Sequence, residues 1–384
     1  MRSPRGCRKL RHGSGHGHSR GRQLGVHPKW EPATSSMNMP GNYGCSRISG
    51  ISAMPSMTEF TESRAVSRSI SGPRSFFRLP HVPLGEITEF GAVDAVLLGV
   101  PIDGATGYRS GARFGPEAVR SASTLARLGS RERALVIDDV LRVVDGGDIQ
   151  VVPGYHEQTL ELIERGVDAV HALGALPVLI GGDHSLAIAE LRSAARYYGP
   201  LSLVQFDAHR DVLDDYFGVE HLHGTVYRRA VEEGLIDPTS SIQIGMRGSV
   251  PRADLVADDL GFTTITSDDA IALGCDELAR VITGEVGSNP VAITFDIDFV
   301  DPANAPGTGT PEVGGPSSAF ALRLLRRLEL ANVRTISLVE ISPPYDTADI
   351  TAHLGVAVIF ELLAMVAAER RAAPTRLPMA PESC

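Results

Sequence analysis

The chain has 384 residues, 43% of them hydrophobic, and a mean hydropathy of +0.01, which suits one large domain of roughly 300 residues plus extensions. Its net charge of −10 argues by composition against a nucleic-acid binder, while residues 1–50, with nine Lys/Arg and one acid (Glu31), offer only a weak basic-arm reading. Both lysines, Lys9 and Lys29, lie in the first 30 residues, so the rest of the chain is excluded from Schiff-base chemistry, pyridoxal-phosphate attachment and a P-loop.

Residues 1–70 are rich in Ser, Gly, Arg, Pro and His without hydrophobic periodicity, and read as a disordered basic tail. Its tract from His12 to His18 reads as solvated, it lacks the apolar segment of a secretory signal, and Met37, Met54 and Met57 offer alternative starts. From about residue 75 the pattern changes. Short apolar runs at 94–100, 176–180, 201–206, 241–246, 261–266, 291–295 and 335–339 predict strands. Helical periodicity spans 157–173, 185–197, 317–331 and 352–369, the last three starting near Ser185, Ser317 and Thr351. Strands alternating with helices predict an α/β domain over 75–372 with a mostly parallel sheet covered on both faces, followed by a flexible tail at 373–384. No apolar run is long enough to predict a membrane span. The four cysteines, Cys7, Cys45, Cys275 and Cys384, show no metal or redox spacing, which predicts a reducing, cytoplasmic compartment.

Four segments rich in acids and histidine each follow one of the apolar runs. Gly181-Gly182-Asp183-His184-Ser185 follows the run at 176–180, its glycines permitting close backbone approach. Asp207-Ala208-His209-Arg210-Asp211 follows the run at 201–206, and residues two apart in extended backbone point the same way, so Asp207, His209 and Asp211 can converge. Asp296-Ile297-Asp298 repeats the spacing and leads into a Pro- and Gly-rich stretch, 299–311, that suits a fixed functional loop. Glu340 ends the fourth run. Strand C-terminal ends are where open α/β sheets gather catalytic groups. His184, Asp207, His209, Asp211, Asp296 and Asp298 form a six-ligand set that fits two divalent metals sharing oxygens. Such a pair lowers the pKa of a trapped water towards neutrality.

These motifs, in this order, resemble the ureohydrolase (arginase/agmatinase) family, over about Phe76 to Ala368. Tyr108 to Pro116 and Thr310 to Gly315 resemble its agmatinase branch. The resemblance implies a three-layer α/β/α fold around an eight-stranded, mostly parallel sheet, and a trimer or hexamer. It implies two Mn²⁺ per subunit, although mixed N/O ligands also accept Ni²⁺, Co²⁺ or Zn²⁺. By matching position, His184 and Asp211 are expected to hold one metal, His209 and Asp298 the other, with Asp207 and Asp296 bridging. His223 matches the family's proton-relay histidine, and Glu340 matches the acid that binds the substrate guanidinium. The expected reaction releases urea and an amine.

Agmatine, giving putrescine, ranks first as substrate, because Asp214, Asp215 and Glu220 in the loop before His223 would complement a terminal ammonium. A guanidino acid such as 4-guanidinobutanoate or 3-guanidinopropanoate ranks second, since Arg210, if turned inward, would offer a carboxylate a partner. A small or unusual guanidine ranks third, and a non-catalytic binding or scaffold subunit is the alternative of another class. His353 also departs from the family pattern, and Cys275 is a poor nucleophile candidate, remote from every motif.

Overall fold

The computed structural model describes residues 74–216, 218–249 and 260–372; the tails predicted at 1–70 and 373–384 lie outside these. Eight strands form one parallel sheet: β1 (Ala95–Val100), β2 (Val143–Asp148), β3 (Leu176–Gly181), β4 (Ser202–Phe206), β5 (Ile242–Met246), β6 (Thr263–Thr266), β7 (Val291–Asp296) and β8 (Val333–Val339). Their order is β2-β1-β3-β8-β7-β4-β5-β6. Seven match the apolar runs. The eighth, β2, reads Val-Val-Asp-Gly-Gly-Asp; its glycines and acids leave it without a continuous apolar run.

Both faces of the sheet are apolar. Along β1, Ala95 and Leu97 join one hydrophobic cluster while Val96, Leu98 and Val100 join the other. Helices α1 (Gly115–Ala122), α5 (Ser267–Val286), α6 (Ser318–Arg327) and α7 (Ile350–Ala372) cover the first face. Helices α2 (His156–Ala172), α3 (Ala187–Tyr198) and α4 (Val226–Glu232) cover the second. The three-layer α/β/α architecture is therefore as expected.

Two of the three predicted helix starts are capped by other residues. Ser317 does accept a hydrogen bond from the Phe320 amide at 3.2 Å. Asp183, however, caps the turn leading into α3, and Asp346 receives the amides of Thr351 and Ala352 at the head of α7. By length and composition α7 would pass for a membrane span, yet 72% of its apolar window is buried, against α1, α6 and the sheet.

One carboxylate in the core is conspicuous. Glu190 of α3 is buried and accepts a short hydrogen bond from Thr335 on β8. Burial outweighs that bond and raises its pKa to about 7. The folded chain thus holds this proton more tightly than the unfolded chain, so stability falls as pH rises from about 4.5 to about 7. Glu190→Gln is expected to raise the melting temperature more at pH 8 than at pH 5, with up to about 3 kcal/mol involved. Thermal unfolding at the two pH values checks this; an equal shift at both would show that Glu190 is not the titrating group.

Candidate metal centre and substrate cavity

Strands β3, β8, β7 and β4 are neighbours in the sheet, so their C-terminal ends place His184, Glu340, the Asp296/Asp298 pair and the 207–211 segment side by side. Close approach depends on Gly182: a Cβ there would lie 1.9 Å from the Ile102 carbonyl oxygen. Asp183 then accepts the Ser185 amide at 3.0 Å and the Ala105 amide at 3.0 Å, pinning this turn against the segment after β1.

The 207–211 segment does converge, but not as extended backbone. The strand ends at Phe206, the His209 amide turns back onto Asp207 Oδ1 at 2.7 Å, and Asp211 adopts φ 55°. As a result His209 and Asp211 face different partners. His184, Asp207 and Asp211 form one group with metal-ligand spacing, and Asp207, His209 and Asp298 form another. Asp207 is common to both. Nδ1 of His184 lies 2.9 Å from Asp211 Oδ2, 3.2 Å from Asp207 Oδ2 and 3.4 Å from Asp296 Oδ2. Nδ1 of His209 lies 3.0 Å from Asp298 Oδ2 and 3.6 Å from Asp207 Oδ1. Asp211 and Glu340 (φ 62°) are both non-glycine residues in the left-handed region, a strain of about 1 kcal/mol each that the surrounding contacts must hold.

The donor set fits divalent cations. Although three carboxylates surround Nδ1 of His184, that nitrogen makes no properly directed hydrogen bond. Its Nε2 is 2.8 Å from both Thr294 Oγ1 and the Tyr227 hydroxyl, which fixes the ring and leaves Nδ1 free to coordinate. The carboxylates crowd one another. Burial, then the charge of Asp207, raises the Asp211 pKa to about 6; burial, then Asp298 and Asp207, raises Asp296 well above the usual range. Burial would lower His184 and His209, but Tyr227 and then the surrounding carboxylates at His184, and the carboxylates at His209, outweigh it and raise both. The cluster thus holds protons where cations would relieve the same repulsion.

A cavity of about 480 Å³ opens beside the cluster, lined among others by Asp211, Asp296, His209, His223, Tyr216 and Thr310. Glu340 is buried; its Oε1 accepts the His184 amide at 2.9 Å and lies 3.1 Å from His223 Nδ1. Its Oε2 makes no hydrogen bond and faces Gly309, next to cavity-lining Thr310. His223 Nε2 accepts the Gly107 amide at 2.9 Å, which places the ring proton on Nδ1, towards Glu340. Burial opposes charge on His223, yet Glu340, Asp211 and Asp183 outweigh it and raise the pKa to about 9. The hydrogen bond and the charges therefore pull the imidazole in opposite directions, as suits a group that changes protonation state.

The expected substrate acids lie elsewhere. Asp214 is 74% exposed and accepts from Arg229 at 2.9 Å, Glu220 is 3.8 Å from the same guanidinium, and Asp215 caps the Gly218 amide at 3.0 Å. Leu213 and Tyr216, on either side of the pair, line the cavity instead. Arg229 on α4 draws Asp214 and Glu220 outward. Arg210 borders the cavity but sends its Nε to Gln243 Oε1 at 3.1 Å. His353 is exposed on α7, and Cys275 is buried near Phe320 on α6.

Two supporting residues were not anticipated. Gln205 and Gln243 are register partners on β4 and β5, both fully buried. Gln205 Nε2 donates to Asp207 Oδ2 at 2.8 Å and to the His209 carbonyl at 3.0 Å, while Gln243 Nε2 donates to Gln205 Oε1 and to the Arg210 carbonyl, both at 2.7 Å. Their signal was present: each interrupts an otherwise apolar strand, where a buried amide needs partners.

The profile of the Arginase family matches residues 93–365. The chain is 41% identical to a guanidinopropionase of Pseudomonas aeruginosa over 300 residues, 77% of this chain and 92% of that protein. It is 39% identical to an agmatinase of Neisseria meningitidis over 303 residues, 78% and 95% of the two chains. Among solved structures, the proclavaminate amidino hydrolase from Streptomyces clavuligerus superposes with a TM-score of 0.73 at 38% identity, covering 79% of this chain and all of that one.

Asp211→Ala is expected to weaken metal binding by more than the roughly 10–100-fold typical of outer hydrogen-bond partners. Metal retained per chain after gel filtration, read by elemental analysis, checks this; an undiminished content would remove Asp211 from the ligand set.

Proposed function

We propose that this chain, which belongs to the arginase family, hydrolyses a linear guanidino compound to urea and an amine, with agmatine to putrescine as the leading reaction. The observation that carries this reading is Glu340. A buried carboxylate with one oxygen committed and the other free of hydrogen bonds, beside four carboxylates and two imidazoles, suits a planar cation presented to a metal pair.

His184 and Asp211 would hold one divalent ion and His209 and Asp298 the other, with Asp207 and Asp296 between them; Mn²⁺ is the proposed metal. When bound, such a pair activates water as the nucleophile and stabilises negative charge on the tetrahedral species. Glu340 Oε2 holds and orients the guanidinium, its backbone fixed by the 2.8 Å bond from the Glu340 amide to the Gly182 carbonyl. His223, 3.1 Å from Glu340, carries a proton to the departing amine. A cytoplasmic homo-oligomer completes the reading.

A second substrate class, guanidino acids, is favoured by a specific observation. The acids expected to meet agmatine's ammonium are engaged by Arg229 and Gly218 outside the cavity, and a 41%-identical relative is a guanidinopropionase. Urea release with Mn²⁺ from agmatine, arginine, 4-guanidinobutanoate, 3-guanidinopropanoate and guanidine ranks the two. No urea from any of them, with metal bound, overturns the proposal. Glu340→Gln is expected to lower kcat/KM by roughly 10–100-fold, mainly through KM, with metal content unchanged.

A further inference from the structure

We infer that Arg247 is a positioning residue whose guanidinium locks the loop bearing Asp298 onto the Pro- and Gly-rich loop and the end of β5, and so sets metal affinity at the His209/Asp298 position. The inference rests on the metal reading given above.

Five N–H groups of an arginine point outward from one plane. In Arg247 each meets a backbone carbonyl. Nε donates to Glu312 at 3.1 Å; Nη1 donates to Gly245 and Phe299, both at 3.1 Å; Nη2 donates to Asp298 at 2.6 Å and Glu312 at 2.8 Å. Nη1 also lies 3.4 Å from the Ser267 hydroxyl, and among the described residues no carboxylate oxygen forms an ion pair with the guanidinium, so its hydrogen bonds go mainly to carbonyl dipoles. Fixing the carbonyls of Asp298 and Phe299 fixes the two successive peptide planes that follow the Asp298 Cα, and so restricts the direction of the Asp298 side chain. The Arg247 amide separately donates to the Ala208 carbonyl at 3.0 Å, and the Ala208 amide donates to Asp298 Oδ1 at 3.0 Å. One residue thereby touches both loops that frame the His209/Asp298 position. None of these side-chain bonds reaches His184 or Asp211.

The far side of the guanidinium is equally constrained. A Cβ on Gly315 would stand 2.5 Å from Arg247 Nη2, so only glycine lets this loop lie against the plane. Lysine cannot substitute, because three donors on a single point cannot reach carbonyls arranged around a fork.

Mn²⁺ titrated calorimetrically into the metal-free full-length chain, with electron paramagnetic resonance at each step, tests this. Wild type is expected to take up two ions and to develop the spectrum of a coupled pair. Arg247→Lys is expected to weaken one position roughly 10–100-fold while the other changes by less than about threefold. The coupled spectrum would then give way to that of an isolated ion at one equivalent. In an Asp211→Ala background the same substitution should weaken the remaining binding by that same roughly 10–100-fold factor; in Asp298→Ala it should leave it nearly unchanged. Should Arg247→Lys fold poorly, Gly315→Ala displaces the guanidinium while keeping it in the chain, and the same selective loss is expected. Equal weakening at both positions, or none, overturns the assignment of Arg247 with the metal reading intact. A wild type that takes up no Mn²⁺ overturns both.

Discussion

Four carboxylates within a few ångströms of one another, three buried and the fourth (Asp211) facing the cavity, are the constraint on which this molecule is organised. Such a group repels itself, and nothing in an apolar strand supplies the compensation. The fold answers in two ways. A parallel sheet sends every strand's C-terminal end to the same edge, so four neighbouring strands contribute acids and imidazoles without long loops. Around that edge, neutral donors hold the acids in place. Gln205 holds Asp207, the Ala208 amide holds Asp298, and the Asp298 amide holds Asp296. Each bond fixes a direction without contributing a full opposing charge, and so leaves room for cations.

The apolar framework serves the same end. Phe206 and Phe295 precede Asp207 and Asp296, and Phe299 follows Asp298; their ring centroids lie 5.5 Å apart. Aromatic rings in mutual contact give the ligand turns a stiff floor. On the second face Tyr227 is fully buried with its hydroxyl on His184, so a large core side chain also steers a ligand ring.

Much of this was legible in the sequence, for identifiable reasons. Apolar runs flanked by helical periodicity located seven strands, because strands buried on both faces leave no other pattern. The acids and histidines were conspicuous where they follow those runs. What was hidden is geometry set by hydrogen bonds between distant segments. The spacing of Asp207-x-His209-x-Asp211 suggested one extended face; the resemblance assigned His209 and Asp211 to different metals, but the turn at His209 and the positive φ of Asp211 that separate them were not legible. Asp214 looked like a substrate contact because Arg229, fifteen residues later, is not visibly its partner.

The strand order also bears on how the chain reaches this state. β7 and β8, from the last third of the described chain, lie between β3 and β4, from its first half. The earlier strands therefore cannot close into one sheet alone; their inner edges wait for partners made more than eighty residues later. Pairings of such long range are slow, since loop closure precedes any reward from contact. The acids of β4 and the histidine after β3 meet Asp296 and Asp298 only when that wedge is in place. Assembly of the carboxylate cluster thus requires the wedge of β7 and β8, and cannot precede the longest-range pairings of the sheet.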